Sequence, residues 1–324
     1  MSGRGTLRIG TRASALALWQ ARHVESLIAG LAGAPTVELV HIKTEGDVRT
    51  DVPLWALKGS AFFTKEIDRA LLAGEVDLAV HSLKDLSTVL DTGLELAATL
   101  TREDPRDALL TGTPAGRTGD GLRDLPRGAR VGTSSLRRRA FLSRTRPDLQ
   151  LLELRGNVPT RVDRLKNGDY DAIVLAAAGL LRLGLQEHIS EFLPPEDFPP
   201  AVSQGVVGVA CRTGDVETLR WLRPLDDRAA RVATTAERAL LRRLEGGCQV
   251  PLGALGTTIG GTLHLHATVC ALDGSKSLTA RGEIESSAER AVTLGQRLAD
   301  ELLAKGAARL IAQERAAHRD AEEP

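Results

Sequence analysis

One short plan occurs twice in this chain. Arg8-Ile-Gly-Thr11 leads into Ser14-Ala-Leu16, and Arg130-Val-Gly-Thr133 leads into Ser134-Ser-Leu136. Each reads as a strand, a glycine-threonine turn and the start of a helix. A second pair, Gly74-Glu-Val-Asp77-Leu-Ala-Val80 and Gly168-Asp-Tyr-Asp171-Ala-Ile-Val174, reads as a helix end followed by a strand. The two elements keep their order in each half, but the spacing differs: 64 residues from Gly10 to Gly74 and 36 from Gly132 to Gly168. That is a shared plan rather than a tandem repeat. Strands alternating with helices predict parallel α/β sheets. The expectation is two similar doubly wound lobes, one before residue 103 and one over 106–199.

The remaining pattern adds a third part. Ser14–Leu31 and Lys65–Leu72 have helical spacing, and Val37–Lys43 and Val76–His81 read as strands. Pro194-Pro-Glu-Asp-Phe-Pro-Pro200 predicts a stiff linker. Val206–Cys211 after it reads as a strand that could return to the first lobe, giving that lobe residues 203–224 as well. Over 225–324 the pattern predicts a compact α+β domain. It comprises a helix Arg228–Leu244, strands Leu252–Ile259, Leu263–Ala271 and Leu278–Ile284, and a long helix over 288–312.

Composition narrows the function. The 324 residues carry 42 basic and 42 acidic side chains, so no overall positive charge draws nucleic acid. Aromatics are 3%, too few for base-stacking platforms. Cys211, Cys248 and Cys270 are odd in number and widely spaced, which argues against a disulfide framework or a zinc site. The longest apolar run, Ala172–Leu181, is about half of the ~20 residues a membrane span needs. The N-terminus lacks the apolar core of a signal peptide. A cytoplasmic protein is expected, and a monomer, because no extended apolar stripe calls for a partner. Neither a G-x-G-x-x-G after a strand nor a P-loop nor H-E-x-x-H occurs, which weakens nicotinamide and nucleoside-triphosphate chemistry.

Four constellations could carry chemistry. His81-Ser-Leu-Lys84-Asp85 falls at the carboxyl end of an expected strand, the edge where open α/β sheets collect ligands; taken alone it fits a surface Lys–Asp pair better. Gly132-Thr-Ser-Ser135-Leu-Arg137-Arg138-Arg139 places Ser134 or Ser135 as a helix cap. The free N–H groups there, the helix dipole and the arginines could hold an anion. At 100° per residue, at most two of the consecutive arginines face one ligand. Leu154-Arg155-Gly156-Asn157 is followed by Arg161 and Arg182. Residues 101–182 carry 15 Arg and one Lys against ten acidic residues, a basic middle lobe in a neutral chain. Lastly, Glu245-Gly-Gly-Cys248-Gln-Val-Pro251 beds a thiol among glycines, open to close approach or merely a packed turn.

Together these segments resemble the hydroxymethylbilane synthase (porphobilinogen deaminase) family. The matching strings are Arg8-Ile-Gly-Thr-Arg12-Ala-Ser14, Leu16-Ala-Leu-Trp19-Gln20, Val80-His-Ser-Leu-Lys-Asp85 and Arg102-Glu-Asp-Pro-Arg-Asp107. They continue with Val131-Gly-Thr-Ser-Ser-Leu-Arg-Arg138, Leu154-Arg-Gly-Asn157 with Thr160-Arg161, Ala178-Gly-Leu-Leu-Arg182-Leu-Gly184 and Leu244-Glu-Gly-Gly-Cys-Gln-Val-Pro251. They run in family order over nearly the whole chain. The resemblance implies two periplasmic-binding-protein-like doubly wound lobes plus a smaller α+β domain with the reactive cysteine. It implies a transferase that joins four porphobilinogen molecules head to tail with loss of ammonia and releases hydroxymethylbilane. Cys248 would hold a dipyrromethane cofactor through a thioether. Asp85 would stabilise the cationic azafulvene that ammonia loss leaves, and move protons. Arg12, Ser14, Arg155 and Arg182, with Gln204, would bind substrate. Lys84, Ser135, Arg137, Arg138 and Arg161 would hold the cofactor's acid groups. The porphobilinogen carboxylates explain why a neutral chain concentrates arginine locally.

Three positions depart from the family pattern. Lys58-Gly-Ser-Ala-Phe-Phe63 lacks the usual Gly-Lys-Gly-type loop, Ser203 stands where glycine is frequent, and Ser87 where proline is frequent. Two other classes compete: a two-lobed binding protein without turnover, and an unrelated transferase with a cysteine nucleophile.

Overall fold

In a computed structural model, residues 5–44, 46, 64–112, 121–244 and 250–312 are described. The chain divides into two compact units. One runs to Asp104 and resumes over Gly205–Arg231; the other takes Pro105–Gln204 and the chain from Val232 onward.

The first unit is built on a five-stranded sheet in the order β2-β1-β3-β10-β4. Its strands are β1 (Thr6–Thr11), β2 (Thr36–His41), β3 (Leu78–Ser82), β4 (Leu94–Thr99) and β10 (Val207–Arg212). β1 lies parallel to β2 and β3, and β10 runs antiparallel between β3 and β4. The strand expected to return to the first lobe therefore does so. Helix α1 (Ala15–Ala29) buries Ala21, Val24 and Ile28 against Leu7, Ile9, Leu78 and Val80. Helix α2 (Lys65–Leu72) covers the opposite face with Ile67, Ala70 and Leu71.

The second unit repeats this topology. Its five-stranded sheet has the order β7-β6-β8-β5-β9. The strands are β5 (Asp107–Thr111), β6 (Arg130–Gly132), β7 (Gln150–Leu152), β8 (Ala172–Ala176) and β9 (Glu191–Phe192). β6 is parallel to β7 and β8, and β5 is antiparallel to β8. Helices α3 (Leu136–Thr145), α4 (Val158–Lys166) and α5 (Ala177–Arg182) cover it.

The echo in the sequence holds at the level of hydrogen bonds. Arg8 donates from its backbone N and Nε to Asp77 Oδ2 (2.9 and 3.1 Å), and from Nη2 to Asp77 Oδ1 and the Gly74 carbonyl (3.0 and 2.8 Å). Arg130 donates from the same atoms to Asp171 Oδ2 (2.7 and 3.3 Å), Asp171 Oδ1 (2.9 Å) and the Gly168 carbonyl (3.1 Å). In both places an arginine on the second strand of the sheet, β1 or β6, clamps the turn that delivers the central strand beside it, β3 or β8.

After α6 (Val216–Leu222) and α7 (Arg228–Arg243), the chain forms an antiparallel sheet β11-β12-β13. The strands are Leu252–Ile259, Thr262–Cys270 and Ser277–Glu285. Val232, Ala236 and Leu240 of α7 share a core with Leu263, Leu265, Ala267 and with Leu294, Leu298 and Leu302 of α8 (Ala288–Ala304). Two α/β lobes and a smaller α+β part are thus the fold class expected.

Two local expectations are corrected. The long helix over 288–312 is interrupted at Lys305-Gly306, where Gly306 takes φ 97°, the left-handed conformation that ends helices. The proline-rich segment is no free linker. Phe198 is buried against Phe141 with ring centroids 5.5 Å apart, and its N–H bonds to the Pro194 carbonyl at 2.8 Å.

Candidate active site

In each unit, parallel strands bring the candidate residues to one sheet edge. In the first, β1 and β3 pair at Ile9–Leu78 and Gly10–Ala79, so Arg12 and Ser14 leave the sheet beside Ser82. Ser14 caps α1, its hydroxyl accepting from Ala17 N at 3.4 Å. Lys84 and Asp85 lie on a single 3-10 turn, Leu83–Asp85. Leu83 and Leu86 bury on either side of them and fix the turn, and Leu83 N donates to the Val206 carbonyl at 2.9 Å. Buried Gln20 of α1 donates from Nε2 to Ser82 Oγ at 2.9 Å, tying the capped helix to the start of that turn. Arg12, Ser14, Lys84 and Asp85 are all half-buried. Among the described residues no hydrogen bond or ion pair engages the Asp85 carboxylate, so it stands uncommitted.

His81 precedes this turn and was singled out by the sequence only as part of its pentapeptide. Burial, and then the charge of Arg12, lower its pKa to about 4, so the imidazole is neutral at physiological pH. Its Nε2 is buried without a hydrogen-bond partner among the described residues.

In the second unit, β6 ends at Gly132 and Ser135 caps α3, accepting from Arg138 N at 3.4 Å. Ser134, the alternative cap, instead bonds Leu154. Arg137 and Arg138 are buried against Asp107, which is fully enclosed. Asp107 Oδ1 accepts from Arg138 Nε (3.0 Å) and Nη2 (2.7 Å) and from Gln204 Nε2 (3.0 Å). Asp107 Oδ2 lies 2.7 Å from Arg137 Nη1 as an ion pair without hydrogen-bond alignment. Burial alone would raise the Asp107 pKa, but the two guanidiniums outweigh it and hold the carboxyl well below the usual range. Arg137 Nη1 also donates to the Pro199 carbonyl at 2.7 Å. Gln204 sits in the turn before β10 rather than on a strand, and spends its amide on the Pro105 carbonyl (2.9 Å) and Asp107.

Arg155 and Arg182 are half-buried, Arg155 just past β7 and Arg182 at the end of α5. Gly156 follows Arg155 with φ 108°, and a Cβ there would come within 2.9 Å of Thr160. Asn157 then caps α4 through Thr160 N at 2.9 Å, and Arg161 Nε donates back to the Gly156 carbonyl at 2.7 Å. Asp107 is the participant that sequence reading missed; its only signal was an acid among arginines in Arg102–Asp107.

A dipyrromethane carries several carboxylates. At Asp107 the second unit sets two buried guanidiniums against one buried carboxylate, with Arg137 Nε lacking an acceptor among the described residues. That surplus of buried positive charge and donors fits a ligand with acid arms. The expected attachment residue, Cys248, and the Lys58–Phe63 loop lie outside the described residues. The two described cysteines are unsuited to attachment, since both are buried. Burial first, then the charges of Glu95 and Asp215, push the Cys211 thiol up to about 12. Among the described residues no cluster could hold a metal, and no helix is long and apolar enough to cross a membrane.

Fold and site define a two-lobed α/β protein with an uncommitted carboxylate on one sheet edge and an arginine-rich edge on the other. Comparison with known proteins makes this specific. Residues 7–220 match the family model described as porphobilinogen deaminase, dipyromethane cofactor binding domain, and residues 232–304 match its C-terminal domain. A porphobilinogen deaminase of Roseiflexus sp. (strain RS-1) is 52% identical over 307 residues, 95% of this chain and 99% of the relative. One from Syntrophotalea carbinolica is 49% identical over 306 residues, 94% and 95% of the two chains. The chain belongs to the porphobilinogen deaminase family, which is to say the transferases also called hydroxymethylbilane synthases. Solved structures similar to it include a methionine binding protein (TM-score 0.43, 13% identity, 72% of this chain and 94% of that one). A Salmonella typhimurium periplasmic binding protein is also similar (TM-score 0.38, 15% identity, 69% and 93%).

Proposed function

We propose that the chain condenses four porphobilinogen molecules head to tail, releasing one ammonia per unit, and frees hydroxymethylbilane by hydrolysis. The observation that carries this is the Asp85 carboxylate, uncommitted among the described residues and fixed by buried neighbours just past the carboxyl end of β3, which runs parallel to β1. When ammonia leaves porphobilinogen, positive charge is shared by the pyrrole nitrogen. A carboxylate already in place stabilises that charge without reorganisation. Asp85 also takes the proton from the carbon that is attacked and, so protonated, passes it to the next departing amine, which regenerates the carboxylate.

Arg12, Ser14, Arg155 and Arg182 bind the acetate and propionate arms of the incoming substrate. Lys84, Ser135, Arg137, Arg138 and Arg161 hold the acid arms of the dipyrromethane, which Cys248 carries through a thioether. When bound, that group supplies the end to which pyrroles are joined. Gln204 supports the site through Asp107, the partner of Arg137 and Arg138, its amide being spent within the fold. The reading includes three domains, with lobes over 1–103 plus 203–224 and over 106–199, and a cofactor-bearing part over 225–324. It takes the protein as a cytoplasmic monomer.

The test is the balance of the reaction. Purified protein given porphobilinogen should release four ammonia molecules for each hydroxymethylbilane formed. Binding of porphobilinogen with neither product would instead mark a solute-binding protein.

A further inference from the structure

Arg155 is framed with unusual care. On its amino side the last turn of chain is held by two side chains from different elements. Ser134 Oγ donates to the Leu154 carbonyl at 2.7 Å and accepts from Leu154 N at 3.1 Å, so one hydroxyl closes both polar groups of a single residue. Tyr170, which precedes β8, donates from its hydroxyl to the Glu153 carbonyl at 2.6 Å. Leu154 itself is fully buried. On the carboxyl side come the left-handed Gly156 and the capped start of α4.

The sequence around these anchors is shaped to them. Gly132 leaves room for the Tyr170 ring, since a Cβ there would lie 2.9 Å from Tyr170 Cδ1. Ser134 is buried and, with Ser135 already capping α3, is not needed as a cap. Burial pushes the Tyr170 hydroxyl upward in pKa, so it stays a donor across the working pH range. β7 is only three residues long, Gln150–Leu152, and its ladder cannot by itself fix the two residues beyond it.

We propose that Ser134 and Tyr170 are positioning residues that set the place of Arg155 by pinning the Glu153-Leu154 peptide groups. The proposal rests on the reading of Arg155 as a substrate-binding residue. A guanidinium recognises a carboxylate through a planar fork, so a small shift of its backbone spoils both bonds at once. Neither Ser134 nor Tyr170 touches substrate in this account; they act through the backbone that carries Arg155.

The test uses the full cofactor-loaded protein with Ser134→Ala, Tyr170→Phe, the double variant, Arg155→Leu, and Ser134→Ala combined with Arg155→Leu. Each single positioning variant should raise the porphobilinogen KM about threefold and the double variant about tenfold, with kcat within about twofold of wild type. Intact mass should show the same dipyrromethane content throughout. In the Arg155→Leu background, Ser134→Ala should add no further rise in KM, because the group it positions is gone. A merely structural role predicts the opposite: lower thermal stability with KM unchanged in the folded fraction. That result overturns the proposal, and so does a rise in KM from Ser134→Ala that persists in the Arg155→Leu background. If Arg155→Leu itself leaves KM unchanged, the substrate-binding reading of Arg155 falls, and the proposal with it. If Arg155→Leu raises KM while the positioning variants do not, the positioning role alone is refuted.

Discussion

The Asp107 carboxylate holds the Arg138 guanidinium by two bonds, 3.0 Å from Nε and 2.7 Å from Nη2, with both side chains closed off from solvent. Arg137 approaches the same carboxylate from its other oxygen. One buried anion thus serves two buried cations that are adjacent in sequence. Asp107→Asn removes the anion and keeps the shape. Breaking a buried pair this way costs about 3–5 kcal/mol, because an uncompensated charge is left behind. Urea unfolding should show a loss of that size. A loss under about 1 kcal/mol would mean that the pair is solvated in the native protein.

The same carboxylate fixes a pH dependence. Its folded pKa lies below the unfolded value, so its contribution is complete above that value and is lost as pH falls through the carboxylate range toward the depressed folded one. Wild-type stability should therefore fall from about pH 5 downward, and Asp107→Asn should flatten that slope. Unfolding free energies measured between pH 3 and 7 decide it; parallel slopes would contradict the assignment.

His81 acts in the other direction from an ordinary surface histidine. Burial and the Arg12 charge depress its pKa to about 4 from 6.5. The neutral form is the folded one, so stability from this residue is full above 6.5 and declines as pH falls toward 4. Imidazole resonances followed by NMR should show that the His81 signal does not titrate between pH 8 and 5. All seven titrating in that range would refute the buried, neutral state.

Ser203 is the non-glycine residue with positive φ among the described residues, at 63°, and its buried hydroxyl finds no partner. Ser203→Gly relieves the left-handed strain and the orphaned hydroxyl, against a greater loss of chain entropy. A net gain of about 1 kcal/mol is expected, read as a rise of about 2 °C in Tm. A fall in Tm would show that the hydroxyl is satisfied in solution.

Asp85→Asn should keep the fold, since the turn is anchored by Leu83 and Leu86 and not by the carboxylate. Porphobilinogen turnover should drop by more than tenfold, the factor that ~1.4 kcal/mol of transition-state stabilisation represents. Retention of over a tenth of the wild-type rate removes Asp85 from its role.

Much of this was legible in the chain because it is local. The strand–glycine–helix starts at Gly10 and Gly132, the helix Lys65–Leu72 and the strand Leu252–Ile259 follow from turn chemistry and side-chain period, both read within about ten residues. The turn that carries Lys84 and Asp85 is legible for the same reason: both follow directly on a strand. What the sequence hid is long-range. Asp107 meets Arg138 across 31 residues and Gln204 across 97, and nothing in a basic stretch says which acid neutralises which arginine. Ser134 and Ser135 are alternative caps by chemistry, and only the approach of Leu154, 20 residues on, separates the cap from the clamp.

The account centres on Cys248 bearing a dipyrromethane whose carboxylates are met by arginine. Intact-protein mass spectrometry measures this most directly. The purified chain should exceed its sequence mass by two porphobilinogen units less two ammonia molecules, and Cys248→Ser should abolish the increment. A wild-type chain at its bare sequence mass, unchanged after incubation with porphobilinogen, would contradict the account.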